Sequence, residues 1–167
     1  MYWITYKLTW FPFYALIIFL LARKYRWRAI GMVVAIVLVI VLADQTASTL
    51  FKPYFQRLRP CHEPALQAWI HIVGGCGGQY GFVSSHSANA FGLAMALWLM
   101  FRKALPSVVY LFIWALVVSY SRIYVGAHYP LDLLVGALIG CIYALIVVWL
   151  YDLLAKKYFS INRFTHV

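Results

Sequence analysis

Residues 131–151 have the sequence LDLLVGALIGCIYALIVVWLY, in which Asp132 is the only charged residue. A helix of this length, rising about 1.5 Å per residue, crosses the roughly 30 Å of hydrocarbon in a bilayer. Further apolar stretches of similar length lie at 3–22, 29–51, 83–101 and 105–125. The pattern predicts an all-α fold, a polytopic membrane helical bundle with five transmembrane helices, and one membrane-embedded domain over 1–167.

The composition excludes both a water-soluble globule and a disordered chain. The chain is 65% hydrophobic and 11% charged, with a mean hydropathy of +0.83. Soluble domains are about 45–50% apolar and about 25% charged. The net charge of +10 does not indicate a nucleic-acid partner, because the basic residues stand in short groups beside the apolar stretches.

The Lys and Arg residues between the apolar stretches predict an orientation. If the basic loop 23–28 lies inside, nine Lys and Arg residues are inside and five are outside. The long loop 52–82 and the turn 126–130 then lie outside, and the polar tail after Asp152 lies inside. The N-terminus would also be outside, and the bundle would have six helices if an N-terminal segment is missing from this sequence.

A first polar cluster, KPYFQRLRP at 52–60, follows the second apolar stretch. A basic anchor that snorkels to the lipid head groups would account for it. However, Lys52 and Arg59 lie on the side that the positive-inside rule keeps poor in cations. The alternative interpretation is an anion-binding site.

A second cluster, FVSSHSAN at 82–89, opens the third apolar stretch. Ser84 or Ser85 is expected to be the helix N-cap, which leaves backbone N–H groups available to an anion. The alternative is a capped helix start at which His86 simply lies at the interface.

The third cluster, SRIYVGAHYPLD at 121–132, joins the fourth and fifth stretches. Pro130 fits the first turn of a helix. Asp132 then follows His128 at a spacing that lets a carboxylate orient an imidazole, as in a catalytic triad. The alternative is a structural pair of His128 and Asp132, with Arg122 snorkelling to the interface.

The predicted topology brings the three clusters to one membrane face. Three cations, two histidines, one carboxylate and a helix N-terminus would meet there. Cations and N–H dipoles hold phosphate oxygens and stabilise charge as phosphorus becomes five-coordinate. One histidine could attack phosphorus, and the other could protonate the leaving oxygen.

These motifs resemble the three-part signature of the type 2 phosphatidic acid phosphatase superfamily, which includes membrane lipid phosphatases related to vanadium haloperoxidases and bacterial acid phosphatases. The matching residues are Lys52–(six residues)–Arg59-Pro60, then Ser84-Ser85-His86, then Ser121-Arg122–(five residues)–His128–(three residues)–Asp132. The motif region, 52–132, covers about half of the chain. The second motif departs from the common Pro-Ser-Gly-His, since Val83 and Ser85 replace its Pro and Gly.

The resemblance implies a role for each residue. His128 would be the nucleophile that forms a phosphohistidine, Asp132 would orient it, and His86 would be the general acid and then the base for water. The groups expected to bind phosphate are Lys52, Arg59, Ser84, the Ser85 amide and Arg122. No metal ion and no cofactor are expected.

The implied function is an integral membrane lipid-phosphate phosphatase in a bacterial inner membrane, with its active site on the periplasmic face. Its substrate would be a phospholipid or isoprenoid-lipid phosphate, such as undecaprenyl pyrophosphate, lipid A, phosphatidylglycerol phosphate or phosphatidic acid. A slight preference goes to a lipid pyrophosphate or lipid A. The alternative is a transporter or scramblase that binds anionic lipids with the same cations. No oligomeric state follows from the sequence.

The remaining polar groups give weaker hypotheses. Cys61 and Cys76 could form a disulfide, or join His62 and His71 in a zinc site that lacks the usual ligand spacing. The glycine-rich segment 74–78 could act as a lid over the head group. Asp44 is expected to be buried with Gln45, Thr46 or Ser48, with a proton path as the alternative.

Overall fold

The protein is a bundle of five helices in a computed structural model that describes residues 2–5, 7–66, 69–70, 72 and 75–159. The helices are α1 (Phe11–Tyr25), α2 (Arg28–Gln45), α3 (Ser85–Phe101), α4 (Leu111–Tyr124) and α5 (Pro130–Phe159). Within the described ranges there is no β-strand, only an isolated antiparallel bridge between Leu58 and Tyr80. The predicted all-α fold is therefore confirmed.

Four helical stretches are long and apolar enough to cross a membrane: Leu8–Tyr25, Arg28–Phe55, Pro106–Tyr124 and Pro130–Lys157. The fifth helix, α3, has 17 residues and packs against α2, α4 and α5. Its buried positions are mostly small, including Ala88, Ala90, Ala94 and Ala96. The protein is thus an integral membrane bundle in which α3 packs between α2, α4 and α5.

The predicted ends of the outer helices need correction. The stretch 3–22 is not one helix, because short helical turns at Tyr2–Thr5 and Lys7–Trp10 precede α1. A proline in the first turn of α1 starts the helix proper. At the other end, α5 continues to Phe159, so the tail predicted to follow Asp152 is helical over its first residues. Lysines in the last turn of α5 favour this extension through the helix dipole.

Helix α2 also extends further than expected. A π-helical segment, Thr46–Phe51, and an α-helical turn, Lys52–Phe55, continue it, so Lys52 lies in the helix and not in a loop. The hydroxyl groups of Ser48 and Thr49 donate to the carbonyls of Asp44 and Gln45, at 2.7 and 2.6 Å. Side chains that donate to carbonyls four residues back compete with the backbone hydrogen bonds of a regular α-helix. Short π-helical segments of this kind often occur at functional sites.

Helices α3 and α5 make the closest helix contact in the part of the chain that the structure describes. A Cβ atom at Gly140 would overlap the carbonyl group of Ala88, and one at Gly136 would press on the carbonyl of Ser84. The Ser87 hydroxyl crosses the contact and donates to the carbonyl of Leu133 at 2.8 Å. Small residues and interhelical hydrogen bonds are the usual way in which membrane helices associate.

Replacing Gly140 by alanine should therefore destabilise the bundle. The added methyl group would push α5 away from α3, and overpacking of this kind costs about 1–3 kcal/mol or more. The measurement is the apparent melting temperature of the detergent-solubilised protein. Leu138→Ala is the control, since Leu138 lies on the same helix and is exposed. A Gly140→Ala protein with the same apparent melting temperature as the wild type would show that the contact between α3 and α5 is looser than described.

Candidate active site

A cavity of about 540 Å³ opens at the end of the bundle where the three sequence clusters meet. Helices α2, α3 and α4, the residues around the start of α1, and the segments before α3 and α5 contribute to its wall. Its polar and charged lining residues are Asp44, Ser48, Lys52, Arg59, Ser85, His86, Asn89 and His128. The structure thus brings five of the predicted site residues into one cavity.

The imidazole of His128 and the carboxylate of Asp132 face each other below this cavity. His128 Nδ1 lies 3.5 Å from Asp132 Oδ2, which is longer than an ordinary hydrogen bond, and Nδ1 has no other partner. His128 is 3% exposed and Asp132 is fully buried. Because Nδ1 faces Asp132, the other ring nitrogen, Nε2, is the one left for a ligand.

Two further groups fix the Asp132 carboxylate. Arg57 Nη1 donates to Oδ1 at 3.1 Å, and the backbone N–H of Tyr129 donates to Oδ2 at 2.9 Å. The second bond is a helix-capping contact, since Tyr129 immediately precedes α5. The Arg57 guanidinium also lies over the Tyr129 ring, 4.1 Å from its centroid. The carboxylate is therefore held before any substrate binds.

The pKa of His128 lies below its ordinary value. Burial is the main cause, because it disfavours the charged imidazolium, and the charges of Arg59 and Arg122 act in the same direction. The Asp132 carboxylate opposes them and raises the pKa. The balance keeps His128 neutral, which is the form that carries a lone pair on Nε2.

The N-terminus of α3 forms another part of the wall. Ser84 is the N-cap, which is one of the two residues predicted for this position. Its hydroxyl accepts from the N–H of Ser87 at 3.4 Å. The Ser84 N–H donates to the backbone carbonyl of Asp132 at 3.0 Å, which joins the starts of α3 and α5. The next residue, Ser85, accepts at its hydroxyl from Lys52 Nζ at 3.0 Å.

Arg59 reaches the cavity from the loop between α2 and α3. Its Nε and Nη1 atoms donate to the carbonyls of Tyr80 and Cys76, at 3.2 and 3.0 Å. Burial lowers the pKa of this guanidinium, while the negative charge of Asp132 raises it. Two backbone carbonyls thus hold the cation in a fixed position at the cavity wall.

Ser84, Arg122 and Asp132 do not line the cavity. Ser84 and Asp132 are fully buried behind its wall, as described above. Arg122 is also buried, and its Nε atom has no hydrogen-bond partner. Its backbone carbonyl accepts from the N–H groups of Ala127 and His128, so it shapes the turn that presents His128. A direct role of Arg122 in binding phosphate stays a prediction.

A disulfide joins Cys61 and Cys76 in the loop between α2 and α3, just after Arg59. The N–H of Cys61 donates to the carbonyl of Gly126 at 3.1 Å, which ties this loop to the turn before His128. Gly126 has a φ of 68°, a left-handed conformation that favours glycine. The disulfide leaves neither cysteine available as a zinc thiolate, although His62 is close to both. His71, the fourth residue of the predicted zinc site, lies outside the described residues.

Two features of the site were missed by the sequence analysis. Arg57 lies within the first cluster, but only the fold shows that it meets Asp132. The carboxylate of Asp44 is bonded by Asn89 and not by the side chain of Gln45, Thr46 or Ser48, since Asn89 Nδ2 donates to Asp44 Oδ1 at 3.2 Å. No local spacing signals either contact, because each joins distant parts of the chain.

A comparison with known families and proteins agrees with this geometry. The profile described as "PAP2 superfamily" matches residues 32–156. The chain belongs to the PAP2 superfamily. The match includes all three motifs, and it confirms both the resemblance and the predicted class of enzyme, a phosphatase.

Two relatives in this superfamily are lipid A 4'-phosphatases. The protein from Bacteroides thetaiotaomicron is 42% identical over 156 residues, 92% of this chain and 67% of that protein. The protein from Porphyromonas gingivalis is 37% identical over 145 residues, 84% of this chain and 60% of that protein. The chain therefore spans about two thirds of the length of these relatives.

A third relative carries a different name. A bacitracin transport permease protein of Bacillus licheniformis is 38% identical over 68 residues, 41% of this chain and 32% of that protein. No solved structure matches the chain.

The pKa of His128 can be tested directly. We expect its imidazole to titrate below the ordinary value of about 6.5, because burial and two guanidinium groups disfavour the charged form. The measurement is a pH titration of the 15N-labelled histidine rings by NMR in detergent, with His128→Ala used to assign the signal. A midpoint at or above about 6.5 would contradict the described burial.

Proposed function

We propose that the protein is a lipid A phosphatase that cleaves a phosphate monoester through a phosphohistidine at His128. The observation that carries this proposal is the buried His128, with Nδ1 turned to Asp132, at the floor of a cavity lined by Lys52, Arg59 and His86. The names of the relatives from Bacteroides thetaiotaomicron and Porphyromonas gingivalis support lipid A as the substrate.

In the first step, Nε2 of His128 attacks phosphorus and the bond to the leaving oxygen breaks. A neutral imidazole is needed, and the proton on Nδ1 can then be shared with Asp132 as positive charge develops on the ring. Arg57 and the Tyr129 N–H keep the carboxylate in place for this. Lys52, Arg59 and the N-terminus of α3 stabilise the negative charge on the phosphoryl oxygens.

His86 completes the reaction. In its protonated form it donates a proton to the leaving oxygen, so that an alcohol departs and a phosphohistidine remains. The neutral His86 then removes a proton from water, which attacks the phosphohistidine, releases inorganic phosphate and restores both histidines. The cation set makes this chemistry independent of a metal ion.

We place the cavity at the periplasmic face of the bacterial inner membrane. The support is the charge distribution, since the opposite end carries the basic groups around Arg23–Arg28, Arg102–Lys103 and Lys156–Lys157. A lipid in the outer leaflet of that membrane could enter the cavity with its phosphate at the level of His128.

A transport function is the second candidate, because one relative is named a transport permease. Transport would need polar groups along a path to the other side of the membrane. Two further cavities lie between α1 and its neighbours, and their almost wholly apolar walls include Ile17 and Leu21. Phosphate release by the purified protein decides between the two functions.

The two histidines should respond differently to the leaving group. His128→Ala should reduce turnover by on the order of 10³-fold or more on every substrate, since it removes the nucleophile. His86→Ala should lose much more activity on lipid A than on p-nitrophenyl phosphate, because p-nitrophenolate leaves without a proton. The measurement is phosphate release by each variant from both substrates at one pH.

Melting temperature and elution volume of the two variants serve as the control for folding. A folded His128→Ala protein with near wild-type turnover would exclude the phosphohistidine. Equal losses by His86→Ala on both substrates would exclude it as the acid and leave it a role in positioning phosphate.

Chelation provides a further prediction. Activity should survive dialysis against EDTA, because Lys and Arg side chains supply the positive charge at the phosphate. The assay is phosphate release from lipid A before and after dialysis, with added Mg²⁺ and Zn²⁺ as comparison arms. Loss on chelation that either metal restores would place the chemistry in a metal-dependent class.

A further inference from the structure

The proposed mechanism leaves one polar pair in the cavity without a role. Asp44 on α2 and Asn89 on α3 both line the cavity, and Asn89 Nδ2 donates to Asp44 Oδ1 at 3.2 Å. An ionisable side chain within a membrane span is costly and marks a functional site by default. A hydrogen bond that only joins two helices does not need a carboxylate, since two amide or two hydroxyl side chains could form it as well.

Asp44 supplies the acceptor that this pair can offer to a ligand. The Asn89 amide nitrogen faces the carboxylate and holds Asp44 Oδ1 with one of its N–H groups, while Asn89 Oδ1 is buried without a hydrogen-bond partner. The carboxylate can only accept hydrogen bonds. A bound ligand that offers O–H or N–H groups would therefore find its partner in Asp44.

The position of the pair relates it to the leaving group. Asn89 follows His86 by three residues on α3, so that the two side chains share one helix face, one turn apart. Asp44 precedes Lys52 by eight residues, about two turns, on the cavity side of α2. His86 is the group that protonates the leaving oxygen, so the next atoms of the leaving group should lie near Asn89.

Aromatic rings form another part of the cavity wall. Trp10, Tyr14 and Trp114 line it. The rings of Trp10 and Trp114 pack edge to face with centroids 5.3 Å apart. Trp10 Nε1 donates a hydrogen bond to the carbonyl of Ile4 at 2.8 Å. Apolar ring surface beside a few fixed polar groups is typical of sites that orient an organic ligand. A sugar ring, with apolar C–H groups and polar edges, matches this combination.

We infer that Asp44, held in place by Asn89, forms a leaving-group subsite that accepts hydrogen bonds from O–H and N–H groups of a sugar, and so selects glycolipid phosphates. This inference rests on the proposed function, and it names the feature of lipid A that the cavity recognises. The glucosamine units of lipid A carry hydroxyl and amide N–H groups close to phosphate. The glycerol ester of phosphatidic acid and the prenyl chain of undecaprenyl pyrophosphate carry none.

The test compares substrates with and without donors in the leaving group. Asp44→Asn keeps the size of the side chain and a hydrogen bond to Asn89, but removes the charged acceptor. Asn89→Ala removes the N–H group that holds the Asp44 carboxylate. Each should lower kcat/KM for lipid A by about tenfold or more, because polar groups of the substrate lose their partners. For p-nitrophenyl phosphate and phosphatidic acid, kcat/KM should change less than about threefold, since neither leaving group reaches the pair with a donor.

Gln45→Ala is the matched control, because Gln45 is the neighbour of Asp44 on α2 and its side chain is exposed. Inhibition by inorganic phosphate reports whether the phosphate site is intact, and it should be the same in all variants. Parallel losses on every substrate, or no loss on lipid A, would overturn the subsite. A wild-type protein that hydrolyses p-nitrophenyl phosphate but not lipid A would instead contradict the proposed function and remove the basis of the inference.

Discussion

The Asp132 carboxylate is fully buried, and groups from two separate parts of the chain converge on it. Arg57 from the loop after α2 bonds one oxygen, and the other faces the Tyr129 N–H and the His128 imidazole. An unpaired carboxylate at this position would be strongly unfavourable, because burial removes the hydration of its charge. The geometry of the nucleophile therefore depends on contacts that also hold the first and third motifs together.

The contact between α3 and α5 places the second motif against the third. Glycines on α5 let it approach the backbone of α3, and the backbone of Asp132 accepts from the Ser84 N–H. His86 then enters the cavity from one helix and His128 from the start of the other. Small residues deep in the bundle thus determine how far apart His86 and His128 lie at its end, because the distance between two closely packed helices fixes the positions of the side chains they carry.

The cavity combines two chemical environments. Around Lys52, Arg59 and His128 it is cationic, which suits a phosphate group. The Asp44 carboxylate, held by Asn89, offers acceptor atoms to the same cavity, which is also lined by aromatic rings, and this combination suits a neutral group with donors. The disulfide between Cys61 and Cys76 belongs to the first environment, since the Cys76 carbonyl bonds Arg59 and the Cys61 N–H bonds the turn before His128.

The sequence by itself determined the membrane fold, the family and most residues of the site. Long apolar stretches permit few structures other than membrane helices. His128 and Asp132 are four residues apart at the start of a helix, so local geometry alone brings their side chains close together. Only the tertiary structure decided that Arg57 meets Asp132, that Asn89 bonds Asp44, and that Arg122 lies behind the cavity wall. The physical reason is that these contacts join residues far apart in the chain, and their geometry follows from helix packing and from the π-helical turn of α2, which no local pattern encodes.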